Sequence, residues 1–264
     1  MSILARLAIA AGVALAISLI AHRARSLDTG GAIAATVAGT LAVLAGWRWA
    51  VLLVVYFVSA SALSHFGAAR KDAQTSGVVE KGGTRDAWQV LANGGVFALA
   101  AGIAVAFPQH EHRWLALGIG ALAASASDTW ATEIGTLYGG APRSILNWSP
   151  VPVGMSGGVT IVGAVAAIAG AAFIGLASLA LGWPVRIAVA SIVGGIAGST
   201  LDSILGATLQ QRRWCERCNR ATERLVHDCG TPTRPMGGFA ALNNDTVNVL
   251  CGLAGGLLAL AITG

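Results

Sequence analysis

The chain has 264 residues, 55% of them hydrophobic and only 11% charged, with a mean hydropathy of +0.69 and a formal net charge of +5. A soluble domain carries about a quarter charged residues, so this composition excludes an ordinary soluble enzyme and predicts an all-α, polytopic transmembrane helical bundle. The 35 glycines and abundant alanine fit close helix packing in lipid, where small residues let backbones approach.

Apolar windows of about 20 residues predict eight spans, at 3–22, 31–46, 48–64, 88–107, 114–137, 157–181, 185–210 and 241–262. The first lacks the basic flank and cleavage site of a signal peptide and reads as a retained helix. The second and third are short, and a re-entrant pair there would reduce the count to six or seven. Of the 17 Lys and Arg residues, only Arg6, Arg48, Arg113 and Arg186 fall on one side of an eight-span chain and the other 13 on the opposite side. Cytoplasmic loops are the ones enriched in Lys and Arg, so both termini should face outward and the long loops inward, in a multi-pass protein of the cell's inner (plasma) membrane. The charge thus reports topology, and no nucleic-acid partner is expected. One integral membrane domain, 1–264, is predicted, with a loop at 211–240 inserted between the last two spans.

The polar motifs, taken in chain order, all fall on the inward side. The 65–93 segment carries Lys71 and Lys81, the two lysines of the chain, with Arg85 and Asn93, groups that hold phosphate. Within the fifth span, Asp128 and Glu133 stand among serines and threonines. Ionised groups at membrane depth cost about 2.5 kcal/mol or more each and mark function by default. Five residues apart, these two are offset by about 140° on a helix, so sharing one ion requires unwinding near Gly135. Carboxylates with hydroxyls suit Mg²⁺, which keeps positions for water and substrate phosphate. Arg143 follows in the next loop. Ser156, Gly157 and Gly158 precede a long apolar helix, where backbone N–H groups and the helix dipole can bind phosphate. Asp202 and Ser203 repeat the acidic motif in the seventh span, and Asn244 and Asp245 open the eighth.

Cys215-x-x-Cys218 followed by His227-x-Cys229 supplies three thiolates and an imidazole in a loop too short and polar to fold unaided, the pattern of a structural Zn²⁺ site. A reducing compartment disfavours disulfides there. Cys251 reads as an apolar packing residue, and most of the tryptophans, Trp49 and Trp183 among them, fall near span ends as an interfacial belt.

Five motifs in order (Gln89-Val-Leu-Ala-Asn93-Gly94-Gly95, Ser127-Asp128-Thr129-Trp-Ala-Thr132-Glu133-Ile-Gly135, Gly154-Met-Ser-Gly157-Gly158-Val-Thr160, Gly198-Ser199-Thr-Leu-Asp202-Ser203-Ile-Leu-Gly206-Ala and Asn243-Asn244-Asp245) resemble the integral-membrane family that contains plant phytyl-phosphate kinase and many transmembrane homologues. The resemblance covers most of the chain from about residue 30 onward. It implies a kinase using CTP, or another nucleoside triphosphate, to convert a prenyl monophosphate (phytyl, geranylgeranyl or similar) to the diphosphate. Nucleotide, prenyl phosphate and membrane lipids are then the expected partners, and a homodimer is compatible with the sequence. On that reading Asp128, Glu133 and Asp202 hold Mg²⁺ with Asp245 in support. Lys71, Lys81, Arg85 and Arg143 neutralise phosphate, while Asn93, Asn244 and Ser203 orient it. A membrane cytidylyltransferase acting on a lipid phosphate, and an ion-coupled transporter, are the alternatives.

Overall fold

The computed structural model describes residues 2–80 and 83–264, so Lys81 lies outside the described residues. The long helices are Ile3–Arg23 (α1), Thr29–Ala45 (α2), Trp47–His65 (α3), Ala87–Ala106 (α5), Glu111–Tyr138 (α6), Ile161–Ala180 (α7), Val185–Thr208 (α8) and Asn244–Thr263 (α9), and Ala68–Thr75 (α4) is a short one. The long helices occupy the eight windows expected from hydropathy, and six of them are long and apolar enough to cross a membrane. The other two depart for different reasons. At 17 residues α2 reaches about 25 Å at 1.5 Å per residue, short of a ~30 Å hydrocarbon core. α6 has 28 residues, length enough to cross, but it carries the carboxylates.

α6 is the axis of the bundle. It packs against α5, α7, α8 and α9, and Leu115 to Ser127 is an almost unbroken buried run. Alanine and glycine dominate that run, so the neighbouring backbones come unusually close. A methyl group added at Gly194 of α8 would stand 2.2 Å from the carbonyl oxygen of Gly255 on α9, so glycine is required where these two helices cross. At the end of the bundle away from the long loops, Trp49 lies with its ring centroid 5.1 Å from Phe97 and 6.0 Å from Trp183. Trp49 and Trp183 are 2% and 6% exposed. Both are core residues, not members of an interfacial belt, because three aromatic rings packed together bury more apolar surface than any of them could at the lipid boundary. Apolar side chains such as Ile3, Leu99, Leu176 and Val185 remain exposed on the outside, as a lipid-facing surface requires.

Four of the long helices begin at the long-loop end, and each of these has a side-chain cap. Asp28 accepts from Gly31 N at 2.6 Å, Asp86 from Gln89 N at 2.9 Å, Thr160 from Gly163 N at 2.9 Å and Asn243 from Thr246 N at 3.0 Å. Capping satisfies donors that a helix start leaves orphaned, and the positive ends of four helix dipoles thereby gather at one end of the molecule.

The loops at this end are tied together by backbone hydrogen bonds. Asp28 N donates to Arg85 O at 3.0 Å, Arg85 N to Ser26 O at 3.1 Å, and Glu223 N to Val78 O at 2.9 Å. Between α6 and α7, Arg143–Ser144 (β1) pairs with Gly158–Val159 (β2). The segment between α8 and α9 folds into a small antiparallel sheet of Arg212–Cys215 (β3), Arg220–Thr222 (β4) and Arg234–Gly237 (β5), in the order β4-β3-β5.

Gly194→Ala should lower stability by about 1–3 kcal/mol through overpacking, whereas Gly12→Ala, with nothing within 4 Å of the added methyl, should leave it unchanged or slightly raised. Thermal unfolding of both variants in the same detergent checks this; equal midpoints would contradict the close α8–α9 crossing.

Candidate functional site

A cavity of about 740 Å³ opens at the long-loop end. α6, α7, α8, the start of α9 and the segment around α4 wall it. Of the residues expected to form a site, Lys71, Arg85, Asn93, Asp128, Glu133, Ser156, Gly157, Gly158, Asp202, Ser203, Asn244 and Asp245 line this one cavity. Arg143 does not. Its Nη1 donates to the Trp148 carbonyl at 2.8 Å on an exposed turn, so its expected role toward phosphate is corrected to that of a loop fastener.

The lining is acidic. Asp72, Glu80, Asp128, Glu133, Asp202, Glu223 and Asp245 face Lys71 and Arg85, the cationic Lys and Arg side chains among the described lining residues. A phosphate ester entering such a cavity would be repelled unless cations came with it.

Glu133 and Lys71 pair with each other. Lys71 is 7% exposed; its ammonium donates to Leu63 O at 2.7 Å, to Ser64 O at 2.9 Å and to the Glu133 carboxylate. An ammonium has three protons, and all three are used. The other oxygen of Glu133 accepts from Ser64 Oγ at 2.6 Å. Ser64 in turn accepts from Arg85 Nη2 at 3.1 Å, while Arg85 Nη1 donates to Ser61 Oγ at 3.0 Å. This chain corrects two expectations. α6 stays helical through Tyr138 and does not unwind near Gly135, so Glu133 turns toward α3 and α4 instead of sharing an ion with Asp128. Lys71 is a buried counter-charge with no proton left for phosphate. Arg85, with five N–H donors of which these bonds use two, keeps the capacity to bind an anion.

Asp128 on α6, Asp202 on α8 and Asp245 at the start of α9 also line the cavity. Asp128 and Asp202 are close enough to act on each other electrostatically, and Cys251 lies near Asp202. Cys251 is itself buried in the core, as a packing residue is. Oδ2 of Asp202 is buried with no hydrogen-bond partner among the described residues. Buried carboxylate oxygens are rarely left so, and an orphaned oxygen beside further carboxylates fits a hard divalent cation such as Mg²⁺.

The glycine loop has a different job from the one its sequence suggested. Ser156 N already donates to Glu223 Oε1 at 3.0 Å, and Gly158 N donates to Met155 O at 3.0 Å. Two of the three N–H groups expected to cradle phosphate are therefore engaged. Glu223 also accepts from Gln210 Nε2 at 3.1 Å, which itself donates to Ser156 Oγ at 2.8 Å. Burial pushes the Glu223 carboxyl up, and its bonds to Ser156 oppose this. Glu223 was not foreseen: it lies among the charged residues of the 211–240 loop, and nothing in local sequence indicates a partner 67 positions away.

Cys215, Cys218, His227 and Cys229 converge so that one ligand atom from each lies within 4.8 Å of the others, with the Sγ atoms of Cys215 and Cys229 3.6 Å apart. Zn–S bonds of about 2.3 Å imply tetrahedral edges of about 3.8 Å. Hydrogen bonds from Thr231 hold the Cys229 thiol down to about 5, and Cys218, hydrogen-bonded to Cys229, is pushed up to about 11. Nδ1 of His227 is buried without a partner among the described residues. The cluster has the donors and spacing to hold a metal ion.

A profile of the family described as integral membrane protein DUF92 matches residues 12–256. The chain belongs to that family. Protein PGR of Arabidopsis thaliana is 32% identical over 258 residues, 88% of each chain. An uncharacterized membrane protein of Methanocaldococcus jannaschii is 28% identical over 264 residues, covering 99% of this chain and 96% of its own length. Another, from Synechocystis, is 34% identical over 175 residues, covering 63% and 65%. No solved structure matches this DUF92 member.

Lys71→Met should cost about 3–5 kcal/mol, because it strands a buried carboxylate, and adding Glu133→Gln should recover most of that. Chemical unfolding of both variants in detergent checks the pair. A stable Lys71→Met protein with impaired ligand binding would instead return Lys71 to phosphate recognition.

Proposed function

We propose that this DUF92 protein is a membrane phosphotransferase that uses a nucleoside triphosphate, CTP in preference, to phosphorylate a prenyl monophosphate to its diphosphate. One observation carries the reading: an acidic cavity with an orphaned carboxylate oxygen sits at the loop end of a bundle whose outer surface is apolar. Lipid substrate can reach such a cavity from the bilayer and nucleotide from the aqueous side. The prenyl chain and the CTP preference come from the family resemblance, and the Lys and Arg bias of the loops supports a cavity facing the cytoplasm.

The attacking atom in this reaction is an oxygen of the prenyl phosphate, already anionic at neutral pH. It forms a bond to the γ-phosphorus as the bond from that phosphorus to the β–γ bridging oxygen breaks, and nucleoside diphosphate leaves. No strong general base is needed, so catalysis reduces to alignment and charge neutralisation. Asp128, Asp202 and Asp245 would hold Mg²⁺, which neutralises phosphate oxygens when bound. Arg85 contributes the free guanidinium N–H groups. Ser203, Asn93 and Asn244 stand on the lining as uncharged hydrogen-bonding groups. The Cys215, Cys218, His227 and Cys229 cluster would hold a structural Zn²⁺. Because Glu223 follows β4 of the same small sheet and bonds Ser156, that Zn²⁺ would also steady one wall of the cavity.

Purified protein given Mg²⁺, CTP and geranylgeranyl monophosphate should yield the diphosphate with one CDP per turnover, and Asp128→Asn should lower turnover by at least about a hundredfold while remaining folded. A nucleotidyl-lipid with released diphosphate would instead make it a cytidylyltransferase, and no turnover by intact protein would favour a transporter.

A further inference from the structure

A second, smaller hollow of about 90 Å³ lies between α1, α2, α3 and α5, and its walls are almost wholly apolar. It shares Arg85, Gln89 and Asn93 with the large acidic cavity. At that junction the Arg85 guanidinium lies 5.8 Å from the centre of the Phe57 ring, and Phe57 lines the apolar hollow. One side chain therefore stands between an oily cleft and a polar cavity, with its charge at the boundary.

Small residues open the cleft. Ala14 of α1 and Ala35, Ala38 and Gly39 of α2 are on its walls. α1 packs chiefly on α2, and most of its length is exposed, with only 17% of its most apolar window buried inside the protein. The cleft therefore borders the membrane. Its geometry is that of a tail site with a head-group anchor: apolar walls, one cationic end, and a wall shared with the cavity where phosphate chemistry would occur.

We propose that this cleft binds the isoprenoid chain of a prenyl phosphate, with the phosphate at Arg85 and the first isoprene units between α2 and α3. The proposal rests on the phosphotransferase reading for the fate of that phosphate, but not for its binding. Three features favour this occupant over a bulk phospholipid. The small volume admits the start of one chain, with the remainder in lipid, and leaves no room for two acyl chains. The charge at the junction suits an anionic head group. The shared residues place head and tail sites side by side. Ala35, Ala38 and Val54 then set which chains are accepted, because shape complementarity in an apolar pocket discriminates by single methylenes. The competing route runs between α7 and α8, where Ile168 and Ile196 line the acidic cavity.

The test uses the full-length protein in lipid nanodiscs and a geranylgeranyl monophosphate carrying a photoreactive diazirine in its second isoprene unit. Labelled peptides are mapped by mass spectrometry, with unlabelled geranylgeranyl monophosphate as competitor. The expected result is competed labelling on α1, α2 or α3. Ala35→Phe, which narrows the cleft, should reduce that labelling about tenfold. Competed labelling on α7 or α8, labelling that the competitor does not reduce, or an Ala35→Phe variant that labels like the parent would each overturn the proposal. Turnover is measured separately. Competed labelling in the cleft without turnover would contradict the phosphotransferase reading and leave the cleft assignment standing. Turnover with labelling on α7 or α8 would contradict the cleft assignment alone.

Discussion

Carboxylates within a lipid-facing bundle must be compensated, and the arrangement of this protein follows from how each is compensated. Glu133 is neutralised by a fully satisfied lysine and a serine. Glu223 is held by a backbone amide and a glutamine. Asp128 and Asp202 have no lysine or arginine in an ion pair with them among the described residues. Ionised groups in a low-dielectric setting are stable only when paired, hydrogen-bonded or bound to metal. The second and third options divide these sites: protein hydrogen bonds serve Glu223, and the orphaned oxygen of Asp202 points to a cation.

The same constraint explains the shape of the loop end. Four capped helix starts direct positive dipole ends toward it, and backbone bonds fasten the segments before α2, before α5 and after β4 to one another. The small β3–β4–β5 sheet reaches the cavity through Glu223 and fastens Ser156. The Cys215, Cys218, His227 and Cys229 cluster beside that sheet is then part of the cavity's support, although it lies outside the lining itself. Close packing of α6 against α8 and α9 fixes the relative depth of Asp128, Asp202 and Asp245, because glycines at the crossings leave no room for the helices to slide.

Helix content and span positions were legible in the sequence because hydropathy acts over windows of about 20 residues and needs no partner. The gathering of polar motifs at one end followed from counting spans. Pairing was not legible. Glu133 and Asp128 look equivalent along α6, yet one faces Lys71, 62 positions away, and that choice depends on how α4 folds back. The glycine loop at Ser156 to Gly158 carried a signal for phosphate that a distant carboxylate cancels. Trp49 and Trp183 were misplaced for a similar reason: proximity to a span end says nothing about which face of the helix a ring occupies.

The most direct test of the account is Mn²⁺ binding, followed by electron paramagnetic resonance in detergent-solubilised protein, with Mn²⁺ standing in for Mg²⁺. If Asp128, Asp202 and Asp245 form a cation site, the parent protein immobilises Mn²⁺. Asp202→Asn then loses most of that binding, while Glu133→Gln, whose carboxylate serves Lys71, retains it. Equal Mn²⁺ binding by the parent and Asp202→Asn, or loss only in Glu133→Gln, would contradict it.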